Sequence, residues 1–152
     1  MDEIFYRPAD RADLDRLIGL AKDCPGAPHW TLATWSQVID SASIGEQRIL
    51  LVAESEGELI GFGVVGIAGD EAEIESLAVS SAARRQGIGR SLCEALMRWA
   101  RMRGATRALL EVRVSNHTAR ALYESLGFQE AAVRRDYYRE PDEDGLMMSR
   151  TL

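Results

Sequence analysis

The sequence predicts an α/β (α+β) domain in which one mixed, mostly antiparallel sheet is flanked by helices. Two patterns predict it. Three apolar, strand-like runs follow one another across the short turns "EGE" and "GDE", the signal of an antiparallel meander. Helix patterns are then interleaved with strands over the C-terminal half, and a sheet between helices buries both kinds of apolar face. The full order is β-α-α-β-β-β-α-β-α-β-β, read as a single domain over residues 1–152.

Each element has a local reason. Residues Ile4–Arg7 read as a short strand. Asp10 or Asp13 caps a helix with Leu14, Leu17, Ile18 and Ala21 on one face. "CPGAPHW" breaks the chain, and Leu32, Trp35, Val38 and Ile39 recur at helical spacing in a second helix. The meander strands are Arg48–Glu54, Glu58–Ala68 and Glu71–Val79. A long helix follows with a stripe of Ile88, Leu92, Ala95, Leu96 and Trp99, stopped by Gly104. "TRALLEVRV" is the next strand. Ser115 or Asn116 caps a helix carrying Ala119, Leu122, Tyr123 and Leu126, with Gly127 after its end. Two last strands, Phe128–Arg135 and Leu146–Thr151, are joined by an acidic loop.

The chain of 152 residues carries a net charge of -6 with 46% hydrophobic and 28% charged residues. These are ordinary globular values, and the acidic balance argues against a general nucleic-acid or membrane binder. The opening "MDEIFYRPADRADLDRL" has no long apolar run and predicts no signal peptide. No stretch approaches the ~20 apolar residues of a membrane span. Cys24 and Cys93 lack CxxC partners and read as reduced thiols of a cytoplasmic protein. With His29 and His117 isolated, no metal site is expected.

One corner departs from the acidic background. "RRQGIGRS" joins a strand to the long helix and holds Arg84, Arg85 and Arg90 around Gly87 and Gly89. The first amides of a helix lack internal partners, and the helix dipole favours an anion there. Glycines let the backbone approach phosphate oxygens, so a diphosphate suits the corner. GxxxxGK[ST] is absent, and GxGxxG fails because Leu92 stands at its third glycine. A lone GxG is equally a turn beside solvated arginines.

The segment R-x-x-G-x-G follows "IESLAV" and precedes "LLEVRVSNHTARALYESLGF". The combination resembles the GNAT acetyltransferases and, within them, the bacterial ribosomal-protein alanine N-acetyltransferases, densely from Ile74 to Tyr138. The resemblance implies acetyl-CoA as co-substrate and no metal. It implies pyrophosphate on the amides of Arg85, Gln86, Gly87, Ile88, Gly89 and Arg90, with Arg84 beside them. It implies a pantetheine arm paired with Leu77, Ala78 and Val79, and the amide of Leu77 or Ala78 at the thioester oxygen. Asn116 would bind the cofactor; it is also a good N-cap.

The resemblance further implies Glu111 as general base and Tyr123 as the acid for the departing sulfur. An N-terminal amine has a pKa of about 8, so roughly a tenth is neutral at pH 7 and a base helps. Glu111 interrupts an apolar strand and is either that base, with a pKa raised by burial, or half of a Glu–Arg pair with Arg113 or a neighbouring strand. Tyr123 lies on an apolar stripe, which also suits core packing. A phenol near ~10 giving its proton to a thiolate near ~8.5 is uphill, so Tyr123 either has a lowered pKa or hydrogen-bonds the sulfur.

The acceptor would enter between "GAPHWT" and "RRDYYREPDEDGLMM", with Trp30, Tyr137 and Tyr138 as walls. Trp30 is alternatively a loop anchor. Pro141 and the acids Glu140, Asp142, Glu143 and Asp144 read as a solvated turn or as an attractor for a basic N-terminus. Arg98, Arg101, Arg103 and Arg107 read as a solvated face, or as contacts for the coenzyme's nucleotide end. The expected activity is direct acetyl transfer to the N-terminal alanine of a ribosomal protein, without direct contact to nucleic acid or membrane. Other protein N-termini, a lysine or a small amine are alternative acceptors. A non-catalytic coenzyme-A-binding module is the alternative outside enzymology.

Overall fold

The computed structural model describes residues 3–24, 27, 29–139 and 141–152. Its strands are β1 (Phe5–Pro8), β2 (Arg48–Ser55), β3 (Glu58–Ala68), β4 (Glu71–Val79), β5 (Arg107–Arg113), β6 (Gln129–Tyr138) and β7 (Glu143–Thr151). Its helices are α1 (Leu14–Lys22), α2 (Leu32–Ile44), α3 (Ile88–Met102) and α4 (His117–Ser125). All strands join one sheet in the order β1-β2-β3-β4-β5-β7-β6. Neighbours are antiparallel except β4 and β5, which run parallel because α3 crosses over between them.

The sheet is covered on both faces. α1 and α2 lay Leu17, Trp35, Val38 and Ile39 on Leu50, Val52, Phe62 and Val64. α3 and α4 lay Ile88, Leu92, Leu96, Tyr123 and Leu126 on Val65, Ala72, Ala108 and Leu110. Glycines set the distance of α3: a Cβ on Gly63 would stand 2.8 Å from Leu96, and one on Gly61 would stand 3.2 Å from Ile88. Among the described residues no helix is long and apolar enough to cross a membrane.

Some helix faces differ from the sequence reading. Leu32, in the first turn of α2, is 62% exposed. The α3 stripe is centred on Leu92, Cys93, Leu96, Met97 and Ala100. Ala95 and Trp99 lie at its edge, and the Arg103 guanidinium stacks over Trp99 at 4.5 Å. Arg103 also donates to the Gly45 carbonyl at the end of α2, so it is a tie between two helices. The acidic run is a solvated turn only at Pro141 and Asp142, which are exposed; Glu143 and Asp144 belong to β7, while Glu140 lies outside the described residues.

The aspartates cap a short 3-10 turn, Arg11–Asp13, ahead of α1, and Asp13 makes no capping bond to α1 itself. Asp10 accepts from Ala12 N–H, and Asp13 accepts from Asp10 N–H. Asp13 is also buried and takes Arg7 at 2.8 Å and Arg16 at 2.7 Å. The Arg7 hydrogen bond, opposed by burial, lowers its carboxyl from 3.8 to about 2. A depressed carboxyl stabilises the fold fully above its unfolded value and loses that contribution as pH falls through its folded value. Asp13→Asn is therefore expected to cost about 2 kcal/mol at pH 7, read as a Tm drop of roughly 4–8 °C. The deficit should shrink as pH falls below about 4 and be nearly gone only in melts at or below about pH 2, where wild type loses the same interaction.

Candidate active site

The site begins where a ladder stops. β4 and β5 pair over four rungs, from Glu71–Arg107 to Ile74–Leu110, and no further. Beyond that point Leu77 and Val79 still pair with β3 on one side, and Glu111 and Arg113 with β7 on the other. The two strands thus splay into a wedge at their C-terminal ends.

Strand alternation decides which backbone groups face the wedge. Ser80 N–H donates to the Ile60 carbonyl on β3. Residues two apart share an edge in an antiparallel pair, so Ala78 also directs its backbone groups to β3, and Leu77 and Val79 direct theirs to the wedge. The Ala78 carbonyl indeed lies 3.1 Å from the Cβ site of Gly61 on β3. The expected backbone triplet is therefore two residues, Leu77 and Val79, with Ala78 buried between them.

The anion corner sits at the wedge mouth. Arg85 (φ 66) and Gly87 (φ 76) both adopt left-handed backbone before α3. Left-handed residues in a turn ahead of a helix gather N–H groups into a concavity that suits an anion. Gly87 is the N-cap and supplies no side-chain acceptor, so the first amides of α3 are left for an external partner. At Gly89 a Cβ would stand 3.3 Å from Leu122 and 3.7 Å from Val79, so the glycine allows α3, α4 and β4 to converge. Arg84, Arg85 and Gln86 are exposed, while the Ile88 side chain is buried and leaves only its backbone to the corner. Arg90 turns away: it donates to Ser125 at 2.6 Å and pairs with Glu94 at 3.5 Å.

The chemical side chains approach the wedge from opposite faces. Ala108, Leu110 and Val112 enter the core under α3 and α4, so Glu111 points to the α1/α2 side. Glu111 forms a Glu–Arg pair with another strand of the sheet. Its Oε1 pairs with Arg134 of β6 at 2.9 Å, and its Oε2 is buried without a hydrogen-bond partner. Burial raises its carboxyl pKa above the ordinary value; Arg134 opposes and Glu73 adds to the rise. Arg113 is engaged elsewhere, with the Pro141 and Arg139 carbonyls, Glu143 and the Tyr138 ring.

Tyr123 belongs to the other face. It is 7% exposed, packs edge-on against Phe128 at 5.8 Å, and burial pushes its phenol well above the ordinary value. The alternative of a lowered Tyr123 pKa is thereby removed. Asn116 is the N-cap of α4, its Oδ1 accepting from Ala119 N–H at 3.2 Å. Its Nδ2 takes no part in that cap.

The β6–β7 hairpin carries a bulge. The β6–β7 register shifts between Arg134 and Tyr138, where Asp136 has φ 53 and its N–H donates to Asp144. Tyr137 and Tyr138 consequently meet edge to face at 5.0 Å. Tyr137 lies over Gly145, whose Cβ site is 3.0 Å from the Tyr137 ring and 3.2 Å from Glu111 Oε2. Burial and Glu111 push Tyr138 up to about 12. Trp30 packs edge-on against Trp35 at 4.9 Å, as a loop anchor does. On this same face a groove of about 420 Å³ is lined by Arg48, Gly66, Glu71, Glu73, Glu75 and Leu109.

Sequence reasoning missed Arg134 and Gly145, and gave Glu143 a different role. Glycine inside a strand pattern was the available signal for Gly145. Glu143 accepts from Ser115 N–H at 2.7 Å and ties the hairpin to α4. Nothing local marks Arg134, which lies 23 residues from its partner.

An uncapped helix start facing a free strand edge, with a carboxylate and a phenol on the two sides, defines a coenzyme-dependent acyl-transfer scaffold. The Acetyltransferase (GNAT) family model matches residues 14–128, and the chain belongs to that family of N-acetyltransferases, whose acyl donor is acetyl-CoA. The chain is 39% identical over 117 residues to the [Ribosomal protein bS18]-alanine N-acetyltransferase of Escherichia coli K12, covering 76% of this chain and 79% of that one. It is 39% identical over 102 residues to the N-alpha-acetyltransferase RimI of Mycobacterium tuberculosis, covering 64% and 63%. The crystal structure of the Escherichia coli ribosomal-protein-S18-alanine N-acetyltransferase superposes with a TM-score of 0.86 at 32% identity, covering 98% of this chain and 94% of that chain.

Proposed function

We propose that this chain, as one domain over residues 1–152, acetylates the N-terminal alanine of a ribosomal protein in the cytoplasm, by direct transfer in a ternary complex. The observation that carries the reading is the wedge itself: a ladder ending at Ile74–Leu110 exposes the Leu77 and Val79 backbone in front of Glu111. The acceptor class follows from the substrate named for the bS18-alanine relatives.

Acetyl-CoA supplies an acyl carbon activated as a thioester. The amides of Arg85 to Arg90 hold its pyrophosphate, helped by the Arg84 and Arg85 side chains. Leu77 and Val79 hold its pantetheine arm, and a backbone N–H of that edge receives the negative charge growing on the carbonyl oxygen. Asn116 adds a contact through its free Nδ2. Glu111 Oε2 takes the amine proton, while Arg134 holds Oε1 and fixes the carboxylate's orientation. The raised carboxyl pKa makes Glu111 a stronger base than an ordinary glutamate. Tyr123 hydrogen-bonds the departing sulfur from the opposite face; its high pKa makes it a donor of a hydrogen bond rather than a ready acid. Trp30, Tyr137 and Tyr138 flank the acceptor.

No acetyl-enzyme is invoked. Cys93 is fully buried and its thiol is pushed up to about 12, so it is not a nucleophile at neutral pH. The attraction for a basic N-terminal segment comes from Glu71 and Glu73 in the groove beside Glu111, since Glu143 and Asp144 are spent inside the hairpin.

The test is a panel of N-terminal peptides incubated with acetyl-CoA and read by mass. Acetylation of Ala-starting ribosomal peptides is expected, with release of coenzyme A in equal amount. Modification of Met-starting peptides or polyamines alone would replace the acceptor. No release of coenzyme A with any amine would favour a binding module.

A further inference from the structure

Two buried side-chain polar atoms lack a hydrogen-bond partner among the described residues: Oε2 of Glu111 and Oγ of Ser76. An unpartnered buried hydroxyl costs about 1–3 kcal/mol, so one that persists calls for a partner the chain does not supply, a water or a bound molecule. Ser76 is only 7% exposed, and the reading above gives it no role.

Its position follows from a bulge. Ile74 stands opposite Val65 and Ser76 opposite Val64, so Glu75 is the extra residue on β4. Glu75 turns over Gly66 to Arg48, pairing at 2.6 Å, which draws its charge away from the wedge. Ser76 stays on the face of Val64 and Ala78, the α1/α2 face toward which Glu111 also points. The β4–β5 ladder ends two residues before Ser76 and one before Glu111. The two orphan oxygens therefore stand on opposite banks of the wedge, on the face from which the acceptor approaches.

We propose that Ser76 is a positioning residue for the acceptor amine, its Oγ accepting one N–H while Glu111 Oε2 faces the other. A primary amine has two N–H groups and one lone pair. Holding both N–H groups aims the lone pair at the thioester carbon. The C–N bond forms, the C–S bond breaks with its electrons on sulfur, and the proton facing Oε2 passes to Glu111. The proposal rests on the reading of Glu111 as the base.

The test is Ser76→Ala in the full chain, assayed with acetyl-CoA and an Ala-starting peptide. Loss of one hydrogen bond made at the acceptor should lower kcat/KM for the peptide about tenfold and leave KM for acetyl-CoA within about twofold. Tm should stay level or rise, because the variant deletes an unsatisfied polar group. Unchanged peptide kinetics would overturn the proposal. A lower Tm with both substrates equally impaired would also overturn it, making Ser76 a packing residue. Glu111→Gln is run beside it: full activity there would sink the base, independently of how Ser76→Ala behaves.

Discussion

Glu111→Gln is expected to lower kcat/KM for an Ala-starting peptide by about 10²–10⁴-fold, the range typical of a lost general base. Coenzyme A affinity, measured by calorimetry, should not change, because Glu111 faces away from the anion corner. The pH profile distinguishes this from a structural effect. In wild type the carboxyl must be ionised, so the rate should fall as pH drops through a pKa raised by burial. In the variant that limb should disappear, leaving only the rise from deprotonation of the amine. Melting gives a second check. A carboxyl whose folded pKa is raised costs stability above that pKa, where it is forced to ionise. The glutamine variant should therefore melt no lower than wild type near neutral pH, despite losing the Arg134 pair. A collapse in Tm would mean that the ion pair is the residue's main purpose.

Tyr123→Phe should reduce kcat by about 10–100-fold, the value of one hydrogen bond to a developing anion. The ring keeps its place against Phe128, so the fold and coenzyme affinity should survive. Equal losses in kcat and in coenzyme affinity would assign Tyr123 to packing. A high phenol pKa adds a specific expectation: no alkaline limb attributable to Tyr123 should appear in the rate below pH 10. Such a limb in wild type, missing in the phenylalanine variant, would reinstate the tyrosine as a ready proton donor.

Much of this was legible in residues because local signals and packing agreed. β3 and β4 have the bounds that "EGE" and "GDE" predict, since each turn holds a residue that tolerates left-handed backbone, Gly57 and Gly69. The anion corner was legible because glycine and helix-start chemistry act within a few residues. What escaped was set by non-local register. That Ala78 gives its backbone to β3 depends on which strand lies beside it. That Tyr137 and Tyr138 share one side depends on Asp136 absorbing a bulge. Arg134 meets Glu111 across two intervening strand pairings. The acids Glu143 and Asp144 read as a solvated run because nothing local shows that Ser115 and Asp136 amides wait for them.

The bond from Ser115 N–H to Glu143, with Arg113 gripping the Pro141 and Arg139 carbonyls, hangs the hairpin tip from the end of β5 and the turn that leads into α4. That same helix holds Asn116 and Tyr123. On the proposed reading, the doorway for one reactant is hinged on the frame that cradles the other. Loading the frame first would hang the door true, so such a layout favours compulsory-order traffic, donor before acceptor.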